Sequence, residues 1–222
     1  MVNPPFDRSA CQRRLTDGAS RMELTLSDFQ QHRLLDYLAL MVKWNKAYNL
    51  TAVRDPIEMV SRHLLDSLAL LPYLSGNSCL DMGTGPGLPG IPLAIMRQDI
   101  RFTLLDSNSK KVRFLRQVAL ELGLDHCEPV HGRIEQFRPD KPIELLTARA
   151  LTSLPELIEL SRALRSDGSE ILAMKGRVPE QEIEAIQPGY DCTVIPLKVA
   201  FTEGDRCLLR IKKAVQSPFN SA

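Results

Sequence analysis

The most restrictive feature of this sequence is an alternation, from Gly76 onward, between short apolar runs and segments with helical periodicity. Each run is followed by residues typical of a turn, and most runs then lead into a helix such as SKKVRFLRQVALELG. The runs that we predict as buried strands are SCLDM, RFTLLD, CEPVHG, IELLTA and EILAMKG. Strands that alternate with helices form parallel sheets covered on both faces. The pattern therefore predicts an α/β fold with a mostly parallel sheet.

The end of the chain departs from this alternation. Two strand-like runs, DCTVIPLKVA and RCLLRIKKA, are separated by a loop that contains Glu203, Gly204 and Asp205 but no helix. Two strands joined in this way pair antiparallel. We therefore expect a Rossmann-like sheet of seven strands that ends in an antiparallel hairpin.

The first part of the chain has helix signals but no strand signal. Ser27 and Gln30 have the spacing of a capping box, and Asp55 followed by Pro56 is typical of the start of a second helix. The residues before Leu24 are polar and lack periodicity, which favours a mobile arm. The predicted division is a flexible N-terminal arm over 1–23, a helical cap over 24–75, a Rossmann-like core over 76–214 and a C-terminal tail over 215–222.

Composition argues against several classes of protein. The chain has 222 residues, 44% of them hydrophobic, yet no run approaches the roughly 18 apolar residues of a membrane span, and the N-terminus lacks the apolar core of a signal peptide. We therefore expect a cytoplasmic protein with no membrane partner. The four histidines form no HExxH motif and the cysteines form no CxxC pair, so neither a metal site nor a disulfide framework is predicted. The cysteines are Cys11, Cys79, Cys127, Cys192 and Cys207.

The first predicted strand leads into a loop, GTGPG, with glycines at positions 83, 85 and 87. A phosphate-binding P-loop would require Gly-Lys-Ser or Gly-Lys-Thr, which this loop lacks. A dinucleotide fingerprint would require its third glycine where this chain has Leu88. The loop therefore matches neither nucleotide-binding motif.

The residues around the loop favour a cationic ligand. Pro86, Pro89 and Pro92 have no backbone N–H to donate to a pyrophosphate, and Asp81 would repel a phosphate but attract a cation. S-adenosylmethionine carries an ammonium and a sulfonium and no phosphate, so it fits both features. Asp106 ends the second strand, where a carboxylate can accept hydrogen bonds from ribose hydroxyls. We predict an S-adenosylmethionine site; a purely structural glycine turn and a nicotinamide site remain alternatives.

Residue types also restrict the methyl acceptor. Methylation of a pyrimidine C5 needs a cysteine nucleophile, usually after proline, and the chain has no Pro-Cys pair. Methylation of an exocyclic amine uses an Asn-Pro-Pro-aromatic motif after the fourth strand, where this chain has TARA; Asn3 to Phe6 spell that motif, but too near the N-terminus to follow a strand. A ring nitrogen such as guanine N7 has a free lone pair and needs no general base, so the enzyme has only to align the reactants.

Basic residues follow several predicted strands and are candidates for RNA contacts. Because the net charge is only +1, a nucleic acid would have to bind such a local patch. The strand-end candidates are Arg133, Arg149, Lys175 and Arg177. Periodicity divides the other basic residues between faces, and these are not predicted to form an RNA site: Lys110, Lys111, Arg113, Arg116, Arg206, Arg210, Lys212 and Lys213. We interpret His63 and Asp66, in the helical cap, as a packing contact.

Several ordered segments resemble a known family. They span Leu24 to Lys213 and are WNKAYNLTAV, RHLLDSLALLPYL, LDMGTGPGLPGIPLAI, LLDSNSKKVRFLRQVALELGL, HGRIEQF, TARAL and AMKG. By these segments the chain resembles the RsmG family, also called glucose-inhibited division protein B, of bacterial 16S rRNA methyltransferases. The resemblance implies a class I, Rossmann-like enzyme that transfers a methyl group from S-adenosylmethionine to N7 of guanine 527, in the 530 loop of 16S rRNA.

The resemblance also implies roles for individual residues. It places cofactor contacts at Gly83, Leu88, Ile134, Glu135 and Arg149, beside Asp81, Gly85 and Asp106 from the loop and strand patterns. It places RNA-facing groups at Arg133, Lys175 and Arg206, to which Arg149 is added as a strand-end residue. No residue is predicted to act as an acid or base, and Arg133, Arg149 and Lys175 are candidates for aligning the reactants. Thr84 and Pro86 differ from the serine and alanine often found in this family's loop, which should not change the ligand.

The resemblance implies 16S rRNA as the partner, either free or within a 30S subunit or an assembly intermediate, and we expect a monomer. Two other functions remain open at this point. A non-catalytic S-adenosylmethionine-binding module would bind the cofactor without methyl transfer, and a nicotinamide-dependent oxidoreductase would bind NADH.

Overall fold

A single sheet forms the centre of the protein. The structure, a computed structural model, describes residues 4–214, so Asn3 and the predicted tail over 215–222 lie outside the described residues. The strands are β1 (Ser78–Met82), β2 (Arg101–Asp106), β3 (Cys127–His131), β4 (Ile143–Arg149), β5 (Arg165–Lys175), β6 (Tyr190–Pro196) and β7 (Cys207–Lys213). Their order across the sheet is β3-β2-β1-β4-β5-β7-β6.

Strand directions match the sequence pattern. The pairs β1–β2, β1–β4, β2–β3 and β4–β5 are parallel. β7 pairs antiparallel with both β5 and β6; the β6–β7 pair is antiparallel because a loop rather than a helix joins these two strands. The prediction of a mostly parallel, seven-stranded Rossmann-like sheet with a terminal antiparallel hairpin is therefore confirmed.

Helices cover the sheet and extend it at the N-terminus. They are α1 (Arg8–Arg21), α2 (Asp28–Tyr48), α3 (Pro56–Met59), α4 (Asp66–Leu68), α5 (Gly90–Met96), α6 (Ser109–Glu121), α7 (Leu154–Leu160) and α8 (Glu180–Glu184). Short 3-10 turns lie at Leu71–Tyr73, Ile134–Gln136 and Arg162–Leu164. Within residues 4–214, no helix has the length and apolar character that crossing a membrane requires.

Apolar side chains fill both sides of the sheet. Cys79 and Phe102 belong to one buried cluster together with residues of α2, α5 and α6. Leu80 and Leu146 belong to a second buried cluster together with residues of α7. Successive side chains of a strand point to opposite faces, so β1 contributes to both clusters. This two-sided burial explains why the strands are continuous apolar runs in the sequence.

The predicted N-terminal arm is wrong for most of its length. Residues Arg8–Arg21 form α1, whose first turn is capped by the Asp7 carboxylate accepting from the Ala10 N–H at 3.0 Å. Cys11 and Leu15 are completely buried in the core cluster shared with α2. Two small residues, Gly18 and Ala19, complete the buried face of α1. Small residues add little hydrophobic signal, so the helical periodicity of this segment was not visible in the sequence.

The helical cap begins as predicted. Ser27 accepts from the Gln30 N–H, and the Gln30 side chain accepts from the Ser27 N–H, so the capping box of α2 is present. The Asp55 carboxylate caps α3, with Pro56 in its first turn. A π-helical segment over Val60–Leu65 then joins α3 and α4 without a break. Such local widening of a helix often accompanies functional sites, and this segment borders the cavity described next.

Candidate active site

A cavity of about 510 Å³ opens at the carboxyl ends of β1, β4 and β5, beneath the helical cap. This is where open α/β sheets bind their ligands. Four parts of the chain line it: the cap, the glycine loop after β1, the first turn of α6, and the ends of β4 and β5 together with the β6–β7 loop. The lining residues with polar or loop character include Arg62, His63, Asp66, Gly83, Thr84, Gly85, Pro86, Leu88, Lys111, Arg149, Lys175 and Arg206.

Gly85 gives the glycine loop an open surface toward the cavity. Its backbone has φ +62°, a left-handed conformation that glycine adopts without strain. An added Cβ would meet only the Gly83 carbonyl oxygen and the Lys111 ammonium, both at 4.0 Å, and would otherwise occupy open space. A bound ligand can therefore approach the backbone here, as the predicted cofactor site requires.

Asp106 fixes this loop against β2. One carboxylate oxygen accepts from the Gly85 N–H at 2.8 Å, and the other accepts from the Asn108 N–H at 2.8 Å. Asp106 is 7% exposed and does not itself line the main cavity, although Gly85 and Lys111 beside it do. Its place at the end of β2 agrees with the predicted ribose role, and its observed hydrogen bonds hold the loop that forms the cavity wall.

The loop is also held from the helical cap, by a contact that the sequence did not reveal. Tyr37 of α2 is completely buried, and its hydroxyl donates to the Pro86 carbonyl oxygen at 2.8 Å. The hydrogen bond links α2 to a loop 49 residues further along the chain. The cap therefore positions the glycine loop directly. A tyrosine among the leucines of α2 was the available signal, since a buried phenol usually needs a polar partner.

Asp81 does not occupy the predicted position. Its carboxylate is completely buried and does not line the cavity; it accepts from the Thr84 hydroxyl at 2.6 Å and the Gly90 N–H at 2.8 Å. The Thr147 hydroxyl of the neighbouring strand donates to its second oxygen at 3.2 Å. The structure thus gives Asp81 the role of shaping the loop from below. The expected direct contact with a cofactor cation is not supported by this placement, and Asp81→Ala would also leave three buried donors unpaired.

The buried carboxylate predicts an unusual dependence of stability on pH. Burial raises the pKa of Asp81 to about 6, although the hydrogen bonds from Thr84, Gly90 and Thr147 oppose the shift. An acid whose pKa is raised in the folded state stabilises the fold below its unfolded pKa, and this contribution is lost as the pH rises through about 6. We expect the free energy of unfolding of the wild type, relative to Asp81→Asn, to fall by about 2 kcal/mol between pH 4 and pH 8.

Urea unfolding at several pH values measures this difference. The subtraction of the Asp81→Asn curve removes the contributions of other titrating groups, and Asp205→Asn, an exposed control, should leave the wild-type pH dependence unchanged. A difference between wild type and Asp81→Asn that is constant with pH would contradict the raised pKa.

Asp66 is the anionic centre of the site and corrects the sequence interpretation. It is 5% exposed; one oxygen accepts from Arg149 Nη1 and the other from Arg206 Nε, both at 3.1 Å. Arg149 Nη1 also donates to the Arg62 carbonyl oxygen at 3.1 Å. Asp66 is therefore not a packing partner of His63 but the residue that ties the cap to the ends of β4 and β7. Arg149 and Arg206 lie 83 and 140 residues from Asp66 along the chain, so no local sequence pattern could predict this cluster.

His63 is neutral in this site. Burial, reinforced by the positive charge of Arg149, lowers the pKa of His63 to about 4. Its Nε2 lies 2.9 Å from the Thr51 hydroxyl, and its Nδ1 has no hydrogen-bond partner among the described residues. The ring is one wall of the cavity, next to Asp66 on the widened helical segment.

The remaining candidates are only partly brought together. Lys175 lines the cavity, but its ammonium donates to Glu182 at 2.9 Å and to the Thr152 carbonyl oxygen at 2.9 Å, which reduces its availability to RNA. Arg133 is exposed and, like Ile134 and Glu135, does not line the main cavity. The turn that carries these three residues lies beside Asp106, because the Gly132 N–H donates to the Asp106 carbonyl oxygen at 3.1 Å.

Among residues 4–214, no group of three or more histidine, cysteine, aspartate or glutamate side chains has an arrangement that could hold a metal ion.

Comparisons with known proteins identify the family of the chain. The family model GidB, described as rRNA small subunit methyltransferase G, matches residues 30–208. The ribosomal RNA small subunit methyltransferase G of Marinobacter nauticus is 51% identical over 201 residues, covering 90% of this chain and 94% of the relative. The enzyme of that name from Ectopseudomonas mendocina is 50% identical over 205 residues, covering 90% of this chain and 95% of the relative.

Solved structures agree in fold. That of the glycopeptide N-methyltransferase MtfA superposes with a TM-score of 0.56 at 15% identity, covering 69% of this chain and 96% of that chain. The family resemblance drawn from the motifs is confirmed, and the alternatives of a non-catalytic module and a nicotinamide-dependent oxidoreductase are set aside. The chain belongs to the GidB family and is an S-adenosylmethionine-dependent rRNA methyltransferase.

Proposed function

We propose that this enzyme methylates N7 of guanine 527, in the 530 loop of 16S rRNA. The observation that carries the choice of a ring nitrogen is the absence of a free general base among the described residues that line the cavity. The only carboxylate in that lining is Asp66, and both its oxygens are bound by arginines. The only histidine in this lining is His63, whose Nε2 contacts Thr51 and whose Nδ1 is buried away from the cavity space.

The acceptor chemistry follows from this lining. A hydroxyl acceptor would need a base to remove its proton, whereas N7 of guanine attacks through a lone pair and releases none. A pyrimidine C5 would need a thiol nucleophile, and the described lining contains no cysteine. What the reaction requires is alignment of the attacking nitrogen with the methyl group and exclusion of water. A cavity walled by backbone, arginine and apolar groups suits that task.

The residues divide this work between two sides of the cavity. S-adenosylmethionine supplies an electrophilic methyl group, and we assign its binding to Gly83, Gly85 and Leu88 on the loop, with Asp106 behind it. Arg149 and Arg206 present guanidinium groups that are already oriented by Asp66, and these can hold an RNA phosphate or a base edge. Arg149 lies on the border of both regions and is assigned to both.

The turn after β3 extends the proposed site. Ile134 and Glu135 stand in its 3-10 turn, and the hydrogen bond from Gly132 keeps that turn beside Asp106. We retain both as proposed contacts of the cofactor's adenosine end, and Arg133 as an exposed RNA contact. The proposed acceptor is 16S rRNA, free or within the small subunit, and a monomer suffices because one chain supplies every residue named here.

Mapping of 7-methylguanosine tests the proposal. 16S rRNA from matched cells with and without the gene is treated with borohydride and aniline, which break the chain at this nucleotide, and the break is located by primer extension. We expect a gene-dependent stop at guanine 527. Identical stops in both samples, together with cofactor-dependent methylation elsewhere in the rRNA, would overturn the assignment of the acceptor while leaving the enzyme class intact.

A further inference from the structure

A second cavity, of about 640 Å³, lies on the other side of the first turns of α6 from the catalytic cavity. It is a groove between the end of α2, the start of α6 and the end of β3. Its lining residues are Ala47, Tyr48, Ser109, Lys110, Val112, Arg113, Arg116 and His131. We call this surface the α6 groove.

The α6 groove is strongly basic. Lys110, Arg113 and Arg116 are three residues apart, so they share one face of α6, while the buried side chains of Phe114 and Leu115 hold the helix to the core. All three cations are exposed. The basic residues of this helix are divided between faces, as the sequence pattern predicts: these three share one face, and Lys111 lines the catalytic cavity.

These cations differ from three of those that line the catalytic cavity in having no anion beside them. Arg149, Arg206 and Lys175 each form an ion pair with Asp66 or Glu182. Within residues 4–214, none of the three groove cations forms an ion pair with a carboxylate, and the groove lining contains no acidic residue. Three uncompensated positive charges therefore face solvent at one place in a chain whose net charge is +1.

The α6 groove and the catalytic cavity lie on either side of the first turn of α6. Neighbouring residues Lys110 and Lys111 line the groove and the catalytic cavity, respectively. His131, at the end of β3, lines the groove and contacts the Ser107 carbonyl oxygen of the loop after Asp106 through Nε2 at 3.1 Å. The Asn108 side chain already accepts from the Lys110 and Lys111 N–H groups, so a ligand in the groove would meet side-chain cations rather than free helix amides.

We propose that the α6 groove binds the phosphate backbone of the substrate rRNA in the segment that flanks the target nucleotide. The inference rests on the proposed function for the nature of the substrate but not for the identity of the methylated atom. An RNA backbone supplies several negative charges at regular spacing, which matches a row of cations along one face of a helix. Tyr48, whose ring centroid lies 4.9 Å from that of Trp44 at an interplanar angle of 43°, adds an aromatic side chain against which an unpaired base can pack.

The test compares two variants that lose the same charge. The groove variant carries Lys110→Ala, Arg113→Ala and Arg116→Ala. The control carries Arg13→Ala, Arg101→Ala and Lys141→Ala, three exposed cations outside both cavities. Each is titrated with unmethylated 16S rRNA transcript at several salt concentrations, and S-adenosylhomocysteine binding is measured in parallel.

We expect the groove variant to bind the transcript roughly 100-fold more weakly than the control at about 0.1 M salt. The slope of log K against log salt should fall in magnitude by about 2, since each lost phosphate contact removes about 0.7. S-adenosylhomocysteine binding should be unchanged. A variant with Arg113→Lys and Arg116→Lys, which keeps the charges, should retain the wild-type slope.

Equal affinities and slopes for the groove variant and the control would overturn the proposal. If the triple substitution impairs S-adenosylhomocysteine binding, the single variants Arg116→Glu and Arg101→Glu are compared instead. A larger decrease in the slope of log K against log salt for Arg116→Glu supports the groove, and equal slopes overturn it. If methylation maps to another nucleotide while rRNA binding still depends on these cations, the acceptor assignment fails and the groove stands.

Discussion

Asp66→Asn is expected to lower kcat/KM for methyl transfer to rRNA roughly 100-fold, because a small displacement of an aligning group has an effect of this size. Asp66 is 5% exposed and is the only anion that pairs with Arg149 and Arg206 in the described chain. Asparagine has a similar shape but no charge, and its amide nitrogen would face one of the two guanidinium groups. At least one arginine should then lose its observed position at the mouth of the cavity.

Kinetics can distinguish a positioning role from general loss of folding. The measurements are transfer of a radiolabelled methyl group to unmethylated rRNA, the separate values of kcat and KM, and the affinity for S-adenosylhomocysteine. We expect Asp66→Glu, which restores the charge on a longer side chain, to recover part of the activity. Folding loss alone would lower the active fraction without any such rescue.

Asp205→Asn is the matched control. Asp205 precedes Arg206 on the β6–β7 loop, is exposed, and forms no ion pair through its carboxylate within residues 4–214. Its substitution should leave kcat/KM close to that of the wild type. If Asp66→Asn also retained nearly wild-type turnover, the two arginines would not depend on Asp66 for their function, and the assignment of Asp66 would fail.

The cluster around Asp66 shows where sequence reasoning stops. Arg149 could be singled out because basic residues at strand ends are informative in an α/β fold, and Arg206 only through the family resemblance. The anion that joins them lies on a helix that precedes the sheet, and no local period relates the three positions. Only the docking of the cap on the sheet, through buried side chains such as Leu34 and Leu64, creates the cluster.

The strands of the sheet could be predicted from the sequence for a physical reason. Buried parallel strands must be apolar on both faces, so β1, β2 and β4 are visible as continuous runs such as LLD and ELLTA. Helix α1 was missed because its buried face uses Gly18, where any larger residue would overlap the Leu65 side chain. Close packing there selects a small residue, and small residues carry little hydrophobic signal.

One glycine of the glycine loop faces the buried core and another faces the cavity, and two substitutions should separate these roles. Gly87 has φ +100°, and an added Cβ would lie 2.5 Å from Ile91 Cγ1 and 2.8 Å from Leu115 Cδ2, both in the buried core. Gly87→Ala should therefore destabilise the fold by about 3 kcal/mol through backbone strain and overpacking. For a chain of this size, the loss corresponds to a fall of roughly 10 °C in the melting temperature.

Gly85→Ala should have the opposite balance of effects. Its positive φ adds about 1 kcal/mol of backbone strain, but the new methyl group would meet no protein atom closer than 4.0 Å and would project into the cavity. We expect a small decrease in melting temperature and at least about a tenfold weaker affinity for S-adenosylhomocysteine. The added methyl group would occupy space that the ligand needs, and a rigid loop cannot move aside.

Calorimetric titration and thermal melting of both variants measure the separation. Gly87→Ala molecules that remain folded below the melting transition should bind S-adenosylhomocysteine much as the wild type does, because the altered side chain faces the core. If Gly85→Ala bound the ligand normally, the cofactor would not approach the backbone at this position. The cofactor site would then have to be sought nearer the turn after β3, which carries Ile134 and Glu135.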